Sequence, residues 1–132
     1  MKSNLTLRIS LLLLTVLTFV FSGSQAQMKQ APLSNIEGNA QSITNKLKAE
    51  LHLTEAQQPK ILNTVTTFLQ QRATILSLNN SNQKAYDTKL KSFQNGFQRK
   101  LKTILTPEQF TGFEKLKPVN NDMTNVLSQL FY

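Results

Sequence analysis

The chain has 132 residues, a formal net charge of +8 and no cysteine. Without cysteine there is neither a disulfide framework nor a thiol to carry a lipid, so a small domain of this length has to be held by side-chain packing alone. Lys and Arg outnumber Asp and Glu by 15 to 7, which suits acidic partners and, in the bland reading, simply keeps a small domain soluble.

The first segment reads as a targeting signal. Lys2 and Arg8 form a positive start, Leu11 to Phe21 an apolar stretch, and Ser24-Gln25-Ala26 a small-x-small cleavage site. The apolar stretch falls short of the roughly 20 residues that a membrane-spanning helix needs. Residues 1–26 are therefore expected to be a cleaved signal peptide, residues 27–33 a flexible lead-in containing Pro32, and residues 34–132 the folded domain. The expected location is periplasmic or secreted. Export removes nucleic acid as the natural partner of the positive charge and leaves anionic lipid or acidic stretches of other exported proteins.

Four main helices and a short final one follow. Ser34-Asn35-Ile36-Glu37 has the form of a capping box, in which a hydroxyl and a carboxylate close two backbone N–H groups at a helix start. Ile36, Ala40, Ile43, Leu47 and Leu51 then recur at three- and four-residue steps, the spacing of one helical face. The second helix is signalled by Leu53-Thr54-Glu55-Ala56-Gln57 and carries Ile61, Val65, Phe68, Leu69 and Leu76. Its expected outer face is polar but nearly uncharged: Thr64, Thr67, Gln70, Gln71 and Thr74. Pro59 predicts a kink or a displaced start, because its ring crowds the carbonyl of Glu55. Asn79-Asn80-Ser81-Asn82 is a turn cluster.

The third helix has the cleanest stripe, with Tyr86, Leu90, Phe93, Phe97, Leu101 and Ile104, and Gly96 is expected to allow close packing there. Leu105-Thr106-Pro107-Glu108-Gln109 opens the fourth helix, with Pro107 at the first helical position, where its missing N–H is harmless. Phe110, Phe113 and Leu116 follow before Pro118 ends it near Lys117. Asn120-Asn121-Asp122 are expected to cap the final helix, which bears Val126, Leu127, Leu130 and Phe131. No stretch alternates with the period of a strand, so the fold class is all-α, in antiparallel hairpins.

The two Leu-Thr-x-x-Gln segments are the most specific feature. In each, the Thr oxygen can accept from the backbone N–H three residues on, while the Gln side chain reaches back to the Thr N–H. Two copies in a signal-bearing, cysteine-free, basic, helical chain resemble the paired signature of the Spy/CpxP-like (LTXXQ-motif) periplasmic family. The motif residues are Leu53, Thr54, Gln57, Leu105, Thr106 and Gln109. The resemblance implies a helical periplasmic protein that forms a homodimeric cradle. Such a protein binds non-native exported proteins without ATP, or acts on an envelope-stress sensor.

The third helix also carries Lys84, Lys91 and Lys102 opposite its apolar stripe, with Arg99 nearby and Asp87 the one offsetting acid. These cations, with Phe110 and Phe113, are the candidate partner-binding residues; the plainer readings are a solvent face and a core. A structural envelope domain that contacts anionic lipid or another envelope protein, without client binding, is the alternative function. His52 is the only histidine, the acids are scattered, and neither a nucleophile motif nor a Gly-rich phosphate loop occurs. No catalytic, metal or cofactor site is expected, and no enzyme.

Overall fold

The computed structural model describes residues 35–132, so the expected signal peptide and lead-in lie outside the described residues. At the start of the described residues, Asn35 Oδ1 accepts from the Gly38 N–H at 3.0 Å. The cap is thus Asn35, one residue later than the box expected from Ser34, a residue that lies outside the described part. Helix α1 (Ile36–Leu51) follows and buries Ala40, Ile43, Leu47 and Leu51, the stripe read from the sequence. It ends on His52, whose φ of 52° is left-handed, a conformation that glycine or asparagine usually takes at a helix end. Through that turn the His52 and Leu53 N–H groups both close onto the Lys48 carbonyl, the latter at 3.3 Å.

Helix α2 (Gln57–Ile75) starts three residues after Thr54, with Thr54–Ala56 forming a turn before it. The displaced start expected from Pro59 is what occurs. Pro59 then lies within the first turn, where no intrahelical partner is needed for its nitrogen. The short helix α3 (Leu78–Ser81) occupies the expected turn cluster. Asn82 then caps helix α4 (Gln83–Ile104), its side chain accepting from the Ala85 N–H at 3.1 Å. Helix α5 (Pro107–Lys115) has Thr106 as cap and Pro107 at its first position. No strand occurs among the described residues, and the fold is all-α.

Helix α2 is the centre of the packing. It lies against α1 on one side and α4 on the other, and α5 folds back onto α1 and α4. The return is close at Gly112, where a Cβ atom would sit 3.0 Å from Leu51 Cδ2. Ile43, Leu47, Ile61, Val65, Phe68, Leu69, Leu101 and Phe113 are all but sealed from solvent and form one core with the stripes around them. A run of aromatic contacts ties the helices together. Phe68 meets Phe97 at 4.8 Å between ring centroids, Phe97 meets Phe113 at 6.1 Å, and Phe113 stacks on Phe131 at 5.1 Å.

The C-terminal segment departs from the expected pattern. Asn120-Asn121-Asp122 do not cap the last helix, α6 (Ser128–Phe131), which begins well after them. Asp122 instead closes a local turn, accepting from the Thr124 hydroxyl at 2.7 Å and the Thr124 N–H at 2.9 Å. These bonds, the hydroxyl first, hold the exposed Asp122 carboxyl below the usual aspartate range. Two further contacts moor the end of the chain. Arg72, only 7% exposed, donates from Nη1 to the Gln129 carbonyl at 2.6 Å. The Tyr132 hydroxyl donates to the Pro118 carbonyl at 2.6 Å.

Two outcomes follow. His52→Gly removes the left-handed penalty of a side-chain-bearing residue and raises stability by about 1 kcal/mol, readable as a higher urea midpoint with an unchanged slope. Because the folded Asp122 carboxyl is depressed, its turn is fully formed above the ordinary aspartate range. The turn is lost as pH falls through the lowered value. In an NMR titration the Thr124 amide should move there, and Asp122→Asn should abolish that movement.

Candidate functional site

The two Leu-Thr-x-x-Gln segments, far apart in the chain, meet in space. Each first completes its own cap. Gln57 N–H donates to Thr54 Oγ1 at 3.2 Å and Thr54 N–H to Gln57 Oε1 at 3.0 Å. The corresponding bonds between Gln109 and Thr106 are also 3.2 and 3.0 Å. The side-chain amides then pair with each other. Gln57 Nε2 donates to Gln109 Oε1 at 2.7 Å, and Gln109 Nε2 to Gln57 Oε1 at 3.1 Å. Their remaining N–H groups reach helix ends: Gln57 donates to the Ile104 carbonyl at 2.9 Å and Gln109 to the Leu51 carbonyl at 3.2 Å.

Each carboxamide thereby uses both of its donors and both of its acceptors. The pair joins the ends of α1 and α4 to the starts of α2 and α5. It also satisfies backbone groups that helix termini leave open. Leu53 and Leu105, the leading residues of the motifs, are buried in the core beside it. The arrangement is a near two-fold, broken by one residue: Leu51 lies three positions before Thr54, whereas Ile104 lies two before Thr106. His52 is the additional residue, which accounts for its left-handed turn. The caps are local and were legible in the sequence; the amide pair was not.

The positive ridge is present on α4. Lys84, Lys91, Arg99 and Lys102 are exposed, and among the described residues the only ion pair is Lys46–Glu50 at 2.7 Å, elsewhere on α1. Asp87 is engaged by Gln83 Nε2 at 2.8 Å. Lys102 is not wholly free for a partner, since its ammonium lies over the Phe110 ring at 4.8 Å from the centroid.

The aromatic part of the expected surface is corrected. Phe113 is 1% exposed and Phe110 8%, so neither faces a partner. Helix α5 has one apolar stripe, and its return onto α1 and α4 turns that stripe inward. Phe93 is the half-buried aromatic of α4, near Gly96; among the described residues the exposed large apolar side chains are Val119, fully in solvent, and Met123, 64% exposed. Gly96 does not serve close packing: a Cβ built on it meets nothing within 4 Å. Thr64, expected on the outer face of α2, is buried, its hydroxyl donating to the Lys60 carbonyl at 2.8 Å.

Among the described residues no group of three or more His, Cys, Asp or Glu could hold a metal ion, and no helix is long and apolar enough to cross a membrane. Comparison of the chain with protein-family models, with curated proteins and with solved structures finds no match.

The amide pair makes a sharp double-mutant cycle. Gln57→Ala or Gln109→Ala alone strands the partner's amide and two helix-end groups, and each should cost about 2 kcal/mol. Removing both should cost clearly less than the sum, with a coupling energy of about 1 kcal/mol from chemical denaturation. Strict additivity would mean that the two amides act only as separate caps.

Proposed function

We propose that the chain is an exported, non-enzymatic, chaperone-like binding protein of the Spy/CpxP-like kind, which captures non-native polypeptides on the cationic side of α4. The observation that carries this reading is the exposure of Lys84, Lys91, Arg99 and Lys102 on one helix whose only acid is Asp87. Helix α2, packed beside it, contains no acid at all. Such a face attracts acidic segments at range, over about 8 Å at physiological salt. Apolar contact would follow at Phe93 and at Val119 and Met123. The meeting of both signature motifs in one hydrogen-bonded junction supports reading them as a single inherited unit, because two unrelated caps have no reason to share partners.

The burial of Phe110 and Phe113 favours a second reading, an envelope interaction domain without client binding, since it reduces the apolar surface on offer. The two readings separate experimentally. The form beginning at Gln27 should suppress aggregation of a denatured acidic protein at near-stoichiometric amounts. High salt, or Lys84→Glu with Lys91→Glu and Lys102→Glu, should abolish the effect. No suppression at low salt, together with sedimentation on anionic vesicles, would transfer the function to the envelope-domain reading.

A further inference from the structure

A groove of about 330 Å³ runs between the polar side of α2 and one shoulder of α4. That volume is at the lower end of those that enclose a small ligand. Its lining is aromatic in part, with the buried rings of Phe68 and Phe97 in contact and Phe93 partly exposed beside the groove. Its walls are uncharged and polar: Asn63, Thr67 and Gln71 from α2, and Ser92 from α4. Lys100 supplies the one charge.

Two features of the groove bear on what it can hold. Most helical hydroxyls of the molecule are occupied by a carbonyl one turn back, as in Thr44 to Ala40, Thr66 to Leu62 and Thr88 to Lys84, each at 2.8 Å. Those of Thr67 and Ser92 make no such bond, and the Asn63 and Gln71 side chains have no hydrogen-bond partner among the described residues. Four donor–acceptor groups therefore stand open around one concavity. The second feature is Gly96. Glycine within a helix costs about 1 kcal/mol relative to alanine, and no neighbour here requires it, since the place of its Cβ is empty space. What its bareness does is keep the way to the aromatic lining open.

We propose that this groove is a binding site for an acidic saccharide, a hydroxyl-rich sugar that carries a carboxylate. Carboxamides and hydroxyls both donate and accept, which matches ring hydroxyls that do the same. Phe93 offers a flat apolar surface to the C–H face of a ring. The Lys100 ammonium meets the carboxylate, and no acidic side chain lines the groove to oppose it. A peptide that docks by main-chain hydrogen bonds needs an unpaired strand edge, which two helices with satisfied backbones do not offer; side-chain capture on the cationic ridge does not depend on one. A second copy of this chain would bring Lys100 and the other α4 cations against their like. This site shares Phe93 with the polypeptide-binding face proposed above but does not rest on that reading.

The test is an NMR titration of the isotope-labelled protein with three probes: a glucuronate-containing disaccharide, its neutral glucose counterpart, and the peptide Asp-Phe-Asp. The uronate sugar should shift the amides of Thr67, Ser92 and Gly96, with the neutral sugar binding about tenfold more weakly and Lys100→Gln weakening the uronate by a similar factor. Gly96→Leu should fill the groove and remove the shifts. It should melt no lower than the wild type, because leucine is the better helix former. Gly96→Ala, melting higher than the wild type, verifies that the position tolerates a side chain. No groove shifts with either sugar, an equal response in Gly96→Leu, or preferential binding of the peptide would each overturn the proposal.

Discussion

The structure depends on a pair of glutamine side chains that bond to each other. Helix ends are where an all-α protein is least satisfied, because each terminus leaves four backbone groups without an intrahelical partner. Here four such ends converge, and two carboxamides with complementary donors and acceptors serve them together. The result fixes where α2 and α5 begin relative to where α1 and α4 stop. Once those four points are set, the directions of the two hairpins have little freedom left.

The core then fills the space that this junction defines. Leu53 and Leu105 enter it directly from the motifs, and Gly112 lets α5 come down close upon Leu51. The phenylalanines carry the packing away from the junction, from Phe68 through Phe97 and Phe113 to Phe131 near the C-terminus. Because α5 uses its whole apolar stripe in this way, the outward surface of the molecule is left to the polar side of α2 and the cations of α4. The same economy that builds the core therefore determines which surfaces remain for a partner.

Much of the fold was legible in the sequence, because its signals act over three or four residues. The stripe of α1, the caps at Thr54 and Thr106, the displacement caused by Pro59 and the end of α5 before Pro118 all follow from local chemistry. What escaped was set at longer range. The Gln57–Gln109 bond spans 52 residues, and nothing in either motif announces the other as its partner. The left-handed turn at His52 makes sense only as the residue by which one junction exceeds the other. Asp122 has the composition of a cap but bonds to Thr124, two residues away, instead of opening a helix. Phe110 and Phe113 could be placed on a helix from their spacing, but their direction depended on which neighbours α5 returned to. The place of Gly96 beside Phe97 suggests packing, but periodicity shows only that a position faces a neighbour; whether that neighbour fills it is a matter of three dimensions.

The clasp has a quality that its hydrogen-bond geometry alone does not advertise: neither of its members ever carries a formal charge. With a single exposed ion pair elsewhere among the described residues, the frame of this domain is nearly blind to ionic strength, whereas the lysine-bearing flank is not. Ions that quench attraction on that flank leave the scaffold beneath it as rigid as before. Architecture and the charged flank answer to different features of the surroundings, so a change of medium would release a partner held electrostatically on that flank without loosening the fold beneath it.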